Sequence, residues 1–192
     1  MTARILAVSG SLRAASSNTA LLGAARVLAP EGVEVVLYGG LSSLPHYNPD
    51  LDDFGGGGAP PEVADFRSRL DASDGVLISS PEYVHGVPGA MKNAIDWVVS
   101  SGELYGKPTA LLNASMVAEH AYASLVEILT TGDAYMVREA SVRVGLPTNR
   151  IGEAGILADP ALSGVLRSAV AALVRAIEAR RSRVEGSAAP WS

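Results

Sequence analysis

Short apolar runs rich in Val, Ile and Leu alternate along this chain with longer stretches in which apolar residues recur every three or four positions. The first pattern fits strands buried on both faces. The second fits helices laid over them, so together they predict an α/β fold with a parallel sheet covered by helices on both sides. The strand runs are Arg4 to Ser9, Val33 to Tyr38, Gly75 to Ser80, Thr109 to Asn113 and Ala140 to Val144. The last helix has the clearest start, with Asp159 as N-cap and Pro160 at the first helical position. Leu162, Val165, Leu166, Ala169, Val170, Leu173, Val174 and Ile177 follow on one face. Its basic end, Arg180, Arg181 and Arg183, suits the negative pole of the helix dipole and reads as a solvated terminus.

A long connection runs from Gly39 to about Pro61 and contains Gly55 to Gly58. A loop of that length in a compact domain is usually functional or mobile. Pro60-Pro61 then pre-sets the start of a helix through Val63, Phe66 and Leu70. Nothing in the pattern reads as a linker between two domains. The expectation is one domain over residues 1–184 and a flexible tail over 185–192.

Composition narrows the function classes. With 192 residues, 48% of them apolar, the chain can bury one sizeable core. No stretch reads as long enough to cross a bilayer, and the start runs directly into a strand without a secretion-signal pattern, so a cytoplasmic protein with no membrane partner is expected. Fifteen basic residues against twenty acidic ones leave a net charge of −5, which argues against nucleic-acid binding. The absence of cysteine excludes disulfides, thiolate metal sites and a cysteine nucleophile. His46, His85 and His120 lack metal-ligand spacing, and no G-x-S-x-G nucleophile elbow is present.

The strongest chemical signal follows the first strand, where Ser9-Gly10-Ser11-Leu12-Arg13-Ala14-Ala15-Ser16-Ser17-Asn18-Thr19 leads into a helix through hydroxyls, an amide and a guanidinium. Such a turn offers free N–H groups and the positive end of a helix dipole to an anion. A Walker-type G-x-x-x-x-G-K-S/T and a G-x-G-x-x-G are both missing, which leaves a phosphate held by serines, an amide and an arginine. The plainer reading is an ordinary strand-to-helix turn capped by Asn18 or Ser17. In an open parallel sheet ligands lie beyond the carboxyl ends of the strands, between the first and third strands of a flavodoxin-like order. The segment Ser79 to Gly89 after the third strand is then a second wall, suited to a flat polar heterocycle, or else a solvent-facing loop.

Three blocks carry a resemblance: Gly10-Ser11-Leu12-Arg13-x-x-Ser16-x-Asn18, then Leu44-Pro45-x-Tyr47-Asn48-x-Asp50-Leu51, then Pro81-Glu82-Tyr83-x-x-Gly86-x-Pro88-Gly89-x-x-Lys92-Asn93-Ala94-Ile95-Asp96-Trp97. In this order and spacing they resemble the NADPH-dependent FMN reductases. The resemblance implies a flavodoxin-like three-layer sandwich with a five-stranded parallel sheet, FMN and NADPH as cofactors, a small-molecule electron acceptor, and a homodimer or homotetramer. It places the FMN phosphate on Ser11, Arg13, Ser16, Asn18 and Thr19, with Ser17 contributing. Pro81, Glu82 and Tyr83 are implied to line the isoalloxazine chiefly through main-chain atoms, Gly86 to let the loop turn close to the ring, and Val84, His85 and Ser115 to complete the cofactor wall. Lys92 and Asp96, four residues apart, read as an intrahelical ion pair. The candidate contact surfaces between subunits are the Leu44 to Asp50 loop and the Pro88 to Ser100 helix.

Two departures from the family pattern stand out. Family members commonly carry Asn where this chain has Val84, and the turn after the fourth strand, often glycine-rich in the family, here reads Asn113-Ala114-Ser115-Met116-Val117-Ala118-Glu119-His120. Ser115 and Met116 are expected there to replace glycine backbone contacts or to crowd the ring edge. A flavodoxin-like electron carrier, or a scaffold that has lost flavin, would share the fold. Carriers present a strongly acidic docking face, and −5 is modest, so the enzyme is favoured.

Overall fold

Strand β1 (Ala3–Ser9) is an interior strand of the sheet, with Ile5 and Ala7 in the hydrophobic cluster on one face and Leu6 and Val8 in the cluster on the other. Such two-sided burial explains why the strands read as continuous apolar runs. The structure is a computed structural model that describes residues 3–52, 58–148 and 150–187, with side chains of the final helix described as far as Val184. Around β1 stand β2 (Val33–Tyr38), β3 (Gly75–Ser79), β4 (Pro108–Asn113), β5 (Tyr135–Met136) and β6 (Val142–Arg143), all parallel. The order is β2-β1-β3-β4-β5, with β6 also beside β4, which is the flavodoxin-like arrangement expected. The register sets Val8 against Tyr38 and Ile78, so β1 and β3 end side by side.

Helices α1 (Ser17–Val27), α5 (Glu153–Ala158) and α6 (Pro160–Ser187) cover one face. Helices α2 (Pro61–Asp71), α3 (Gly89–Val99) and α4 (His120–Thr131) cover the other. The fifth strand differs from the expected Ala140 to Val144. It is split into β5 and β6 around a 3-10 turn at Arg138–Ala140. A side chain bridges the gap: Ser141 Oγ accepts from Leu111 N–H at 3.1 Å and donates to the Val137 carbonyl at 2.9 Å, replacing a rung of backbone ladder. Alternation of apolar residues could not reveal a hydroxyl acting as backbone.

Asp159 caps α6 as expected, its Oδ1 accepting from Ala161 N–H at 2.9 Å and Leu162 N–H at 3.1 Å. Helix α6 is long and apolar enough over Pro160–Val184 to cross a membrane by length and composition, contrary to the sequence reading. Its apolar face is accounted for by the core, where Leu162, Leu166, Ala169, Val170, Leu173 and Ile177 are buried. Val165, expected on that face, is exposed. A Cβ built on Gly75 would stand 2.8 Å from Ile177 Cδ1 and 3.0 Å from the Pro108 carbonyl, so only glycine lets α6 sit this close to β3. Arg181 is not a solvated terminus either: it pairs with Asp74 at 2.6 Å, and Asp74 also accepts from Arg4 N–H at 2.7 Å. The expected loose tail begins as three more helical residues, through Ser187, and residues 188–192 lie outside the described residues.

The connection after β2 is folded over residues 39–52, with 3-10 turns at Leu41–Ser43 and Pro49–Leu51. Buried Arg67 holds its end, pairing with Asp52 at 2.8 Å and donating to the Trp97 carbonyl. The glycines 55–57 lie outside the described residues. Lys92 and Asp96 form the expected intrahelical pair at 2.5 Å.

Candidate functional site

The carboxyl ends of β1, β3 and β4 open into a hollow of about 340 Å³ lined by Ser17, Asn18, Ser80, Pro81, Glu82, Asn113, Ala114, Ser115, Val117 and Ala118. That volume is in the range of small-molecule sites. Three chain segments build it: the start of α1, the loop after β3 and the loop after β4. They are joined at the base by Ser79, fully buried, whose hydroxyl faces Asn18 Oδ1 and the Leu112 carbonyl, each at 2.9 Å. Glycine at position 10 lets the first two segments meet, since a Cβ there would stand 2.1 Å from Ser80 Oγ.

The N-cap of α1 is Ser16, not Asn18 or Ser17; its Oγ accepts from Thr19 N–H at 3.4 Å. Ser9 Oγ accepts from the Thr19 hydroxyl at 2.9 Å and from Ser11 N–H at 3.3 Å, folding the turn on itself. Those bonds leave the backbone N–H groups of Leu12, Ala14, Ala15, Ser16, Ser17 and Asn18 without an acceptor among the described residues. They are open donors at a helix start, as an anion requires. Arg13 is exposed and has no ion-pair partner among the described residues. Because Asn18 turns its Oδ1 to Ser79, its NH₂ is left as a further donor.

Of the expected site residues, Ser17, Asn18, Pro81, Glu82 and Ser115 line the hollow together. Ser16 and Thr19 instead border a second hollow of about 280 Å³ on the other side of the α1 start, with Arg150 and Glu153. The Glu82 carboxylate is engaged within the protein: Oε2 accepts from Ala121 N–H at 2.8 Å, capping α4 and tying the two loops together. Tyr83 has its N–H bonded to the Gly86 carbonyl at 3.0 Å and its carbonyl to Gly86 N–H at 2.9 Å, so its ring, which is exposed, is its free group. The sharp turn belongs to Val84 and His85, at φ 51° and 57°, and Gly86 is not in the left-handed region.

The turn after β4 closes without glycine because its own side chains satisfy it. Asn113 Oδ1 accepts from Ser115 N–H at 3.0 Å and its amide donates to the Ala118 carbonyl at 2.7 Å. Ser115 Oγ accepts from Val117 and Ala118 N–H, each at 3.2 Å, which leaves its proton to donate into the hollow. Arg143 on β6 pairs with Glu119 at 2.9 Å and lies over the Tyr122 ring at 5.8 Å, latching the turn from outside. Met116 does not crowd the hollow; it packs toward Gly145, where an added Cβ would stand 3.3 Å from its Cγ. Val117 takes its place on the lining. Sequence reasoning missed Ser79, Asn113 and Arg143. The Asn-x-Ser pattern at 113–115 was the one visible sign, since Asn and Ser bond backbone groups two residues ahead.

The family profile of NADPH-dependent FMN reductase matches residues 3–146. An NAD(P)H-dependent FMN reductase of Pseudomonas aeruginosa is 33% identical over 175 residues, 88% of this chain and 92% of its own. A quinone reductase of Escherichia coli is 29% identical over 77% of this chain and 80% of its own. Among solved structures, FerB, a flavoenzyme NAD(P)H:(acceptor) oxidoreductase from Paracoccus denitrificans, aligns with a TM-score of 0.73 at 31% identity, covering 92% of this chain and 98% of its own.

Proposed function

Because this chain belongs to the NADPH-dependent FMN reductase family, we propose that the hollow across the ends of β1, β3 and β4 is where its FMN lies, with the phosphate on residues 11–19. The chain is an NAD(P)H-dependent flavin oxidoreductase that passes electrons to quinones or other small acceptors. The observation that carries the site is the set of open N–H donors on Leu12 and on Ala14 to Asn18, beside Arg13, which has no ion-pair partner among the described residues. That donor set matches a dianionic phosphate, to which charge-assisted bonds are the strong ones. The rest of the hollow suits a flat heteroaromatic ring. Pro81, Ala114 and Val117 give apolar contact, and Glu82 N–H and Ser115 O–H are the polar groups left to fix orientation.

FMN, when bound, supplies the two-electron chemistry between nicotinamide and acceptor. The residues of this chain bind and orient. Arg13 and the α1 start hold the anion, Ser79 keeps the Asn18 amide turned outward, the Glu82 bond ties the loop after β3 to the start of α4, and the Asn113 bonds fix the shape of the turn after β4. Leu12, Tyr83 and Val117 give the rim exposed apolar surface, suited to an uncharged flat acceptor.

A homodimer or homotetramer using the Leu44 to Asp50 loop and the Pro88 to Ser100 helix belongs to this reading. Its support is that the two segments form one surface: the Pro45 carbonyl accepts from Asn93 and Trp97 side chains at 2.9 and 2.8 Å, and the Tyr47 ring meets Trp97 edge-on at 5.0 Å. The test is a flavin spectrum of the purified protein followed by anaerobic titration with NADPH and with NADH. Yellow protein that bleaches is the expected result. Yellow that persists under both nucleotides overturns the reductase in favour of a carrier, and protein that cannot be loaded with FMN overturns the site.

A further inference from the structure

The two loops that wall the hollow meet at a contact the reductase reading does not use. His85, in the turn after β3, stacks on His120, the first residue of α4, with ring centroids 4.3 Å apart and planes within 9° of parallel. Both residues are exposed. His85 also follows Val84 in a pair of non-glycine residues at positive φ, bracketed by the Tyr83–Gly86 backbone bonds. This is a type I′ geometry, which Asn-Gly adopts freely and a β-branched residue adopts only under strain. The Val84 side chain is fully exposed and offers no compensating contact. The imidazole stack does.

We propose that His85 and His120 are positioning residues: their stack clasps the β3 loop to the β4 loop beside the cofactor hollow and holds the Tyr83–Gly86 turn in its strained form. The proposal rests on reading that hollow as the FMN site. The charged and titratable groups around the stack are Glu82, Tyr83, Glu119, Tyr122 and Arg143. Glu82 is bonded to Ala121 N–H, Glu119 to Arg143, and Arg143 lies over the Tyr122 ring, while the Tyr83 phenol stands on the turn itself. Each histidine ring therefore has the other as its aromatic partner.

The experiment compares wild type with His120→Ala and His120→Phe. Amide-exchange protection of Tyr83 and Gly86 is read in the flavin-free protein, and FMN affinity by flavin fluorescence. His120→Ala is expected to lose protection at both amides and to weaken FMN binding about fivefold, the scale of one aromatic stack. His120→Phe restores both, because a phenyl ring keeps the stack. The clasp is overturned if His120→Ala matches wild type or if His120→Phe is as loose as His120→Ala. Wild type that binds no FMN overturns the functional reading instead, and amide protection in the flavin-free protein then decides the clasp by itself.

Discussion

Ser79 and Asn18, sixty-one residues apart in the chain, meet at 2.9 Å, and the same Ser79 hydroxyl reaches the Leu112 carbonyl at 2.9 Å. One buried side chain thus sets the position of α1 against β3 and β4 at the base of the hollow where we propose that FMN lies. The Ser79 hydroxyl has one proton to share between these two acceptors, so Ser79→Ala removes one buried hydrogen bond, an expected cost of about 1–2 kcal/mol. Freed from Ser79, Asn18 can turn its amide, so FMN affinity should fall as well. Thermal melts of the FMN-free protein read the first effect and flavin fluorescence the second. A variant as stable as wild type would mean that the hydroxyl does not organise the site.

Arg13 and the α1 start are assigned to the phosphate, and riboflavin, which has none, separates that contact from ring binding. Arg13→Ala with Asn18→Ala removes one charge-assisted and one neutral donor, together about 2–4 kcal/mol, or roughly 30- to 1,000-fold in FMN Kd. Riboflavin affinity should change far less. Equal losses for FMN and riboflavin would place the two residues at the ring instead.

How much of this was legible in the chain follows from which interactions leave a pattern. Burial on both faces of the sheet writes itself as apolar runs, so the strands through Asn113 could be read directly, while their order came with the family resemblance. The turn from Ser11 to Thr19 stood out because its residue types are donors that a core does not want. The split fifth strand was not, since Ser141 stands in for a backbone rung and nothing in its neighbours announces that. Likewise nothing in sequence assigns a partner to the carboxylate of Glu82, because only the fold brings Ala121 N–H to it. Arg181 read as a solvated helix end because its partner, Asp74, lies 107 residues away.

Asp74 gives a pH dependence with a definite sign. Partial burial pushes its carboxyl up, but the Arg181 bond, the Arg4 N–H and nearby positive charge outweigh this and hold it below the ordinary value. A group whose folded pKa is depressed contributes stability above its unfolded pKa and loses it as the pH falls through the folded one. Asp74→Asn should therefore cost about 1 kcal/mol near neutrality, modest because the pair is partly exposed. The gap to wild type should close below about pH 4. Urea melts across the acid range measure it, and a gap that widens on acidification would contradict the assignment.

The turn at Val84 offers the last test, because strain is visible there and its relief can be predicted residue by residue. Val84 holds φ 51° with its side chain fully exposed, so its replacement removes no packing. Asn tolerates the left-handed region because its short amide bonds the local backbone, whereas a β-branched residue meets its own carbonyl. Val84→Asn should raise stability by about 1 kcal/mol, or roughly 2–4 °C in Tm for a domain of this size. Gly also relieves the clash, but it frees the unfolded chain, so Val84→Gly should gain less than Val84→Asn. Ala keeps a Cβ at positive φ without the branch, which places Val84→Ala between Asn and wild type. Calorimetry of the three variants gives the order. If Val84→Asn melts at or below the wild-type temperature, the turn stores no strain, and the His85–His120 stack has nothing to hold.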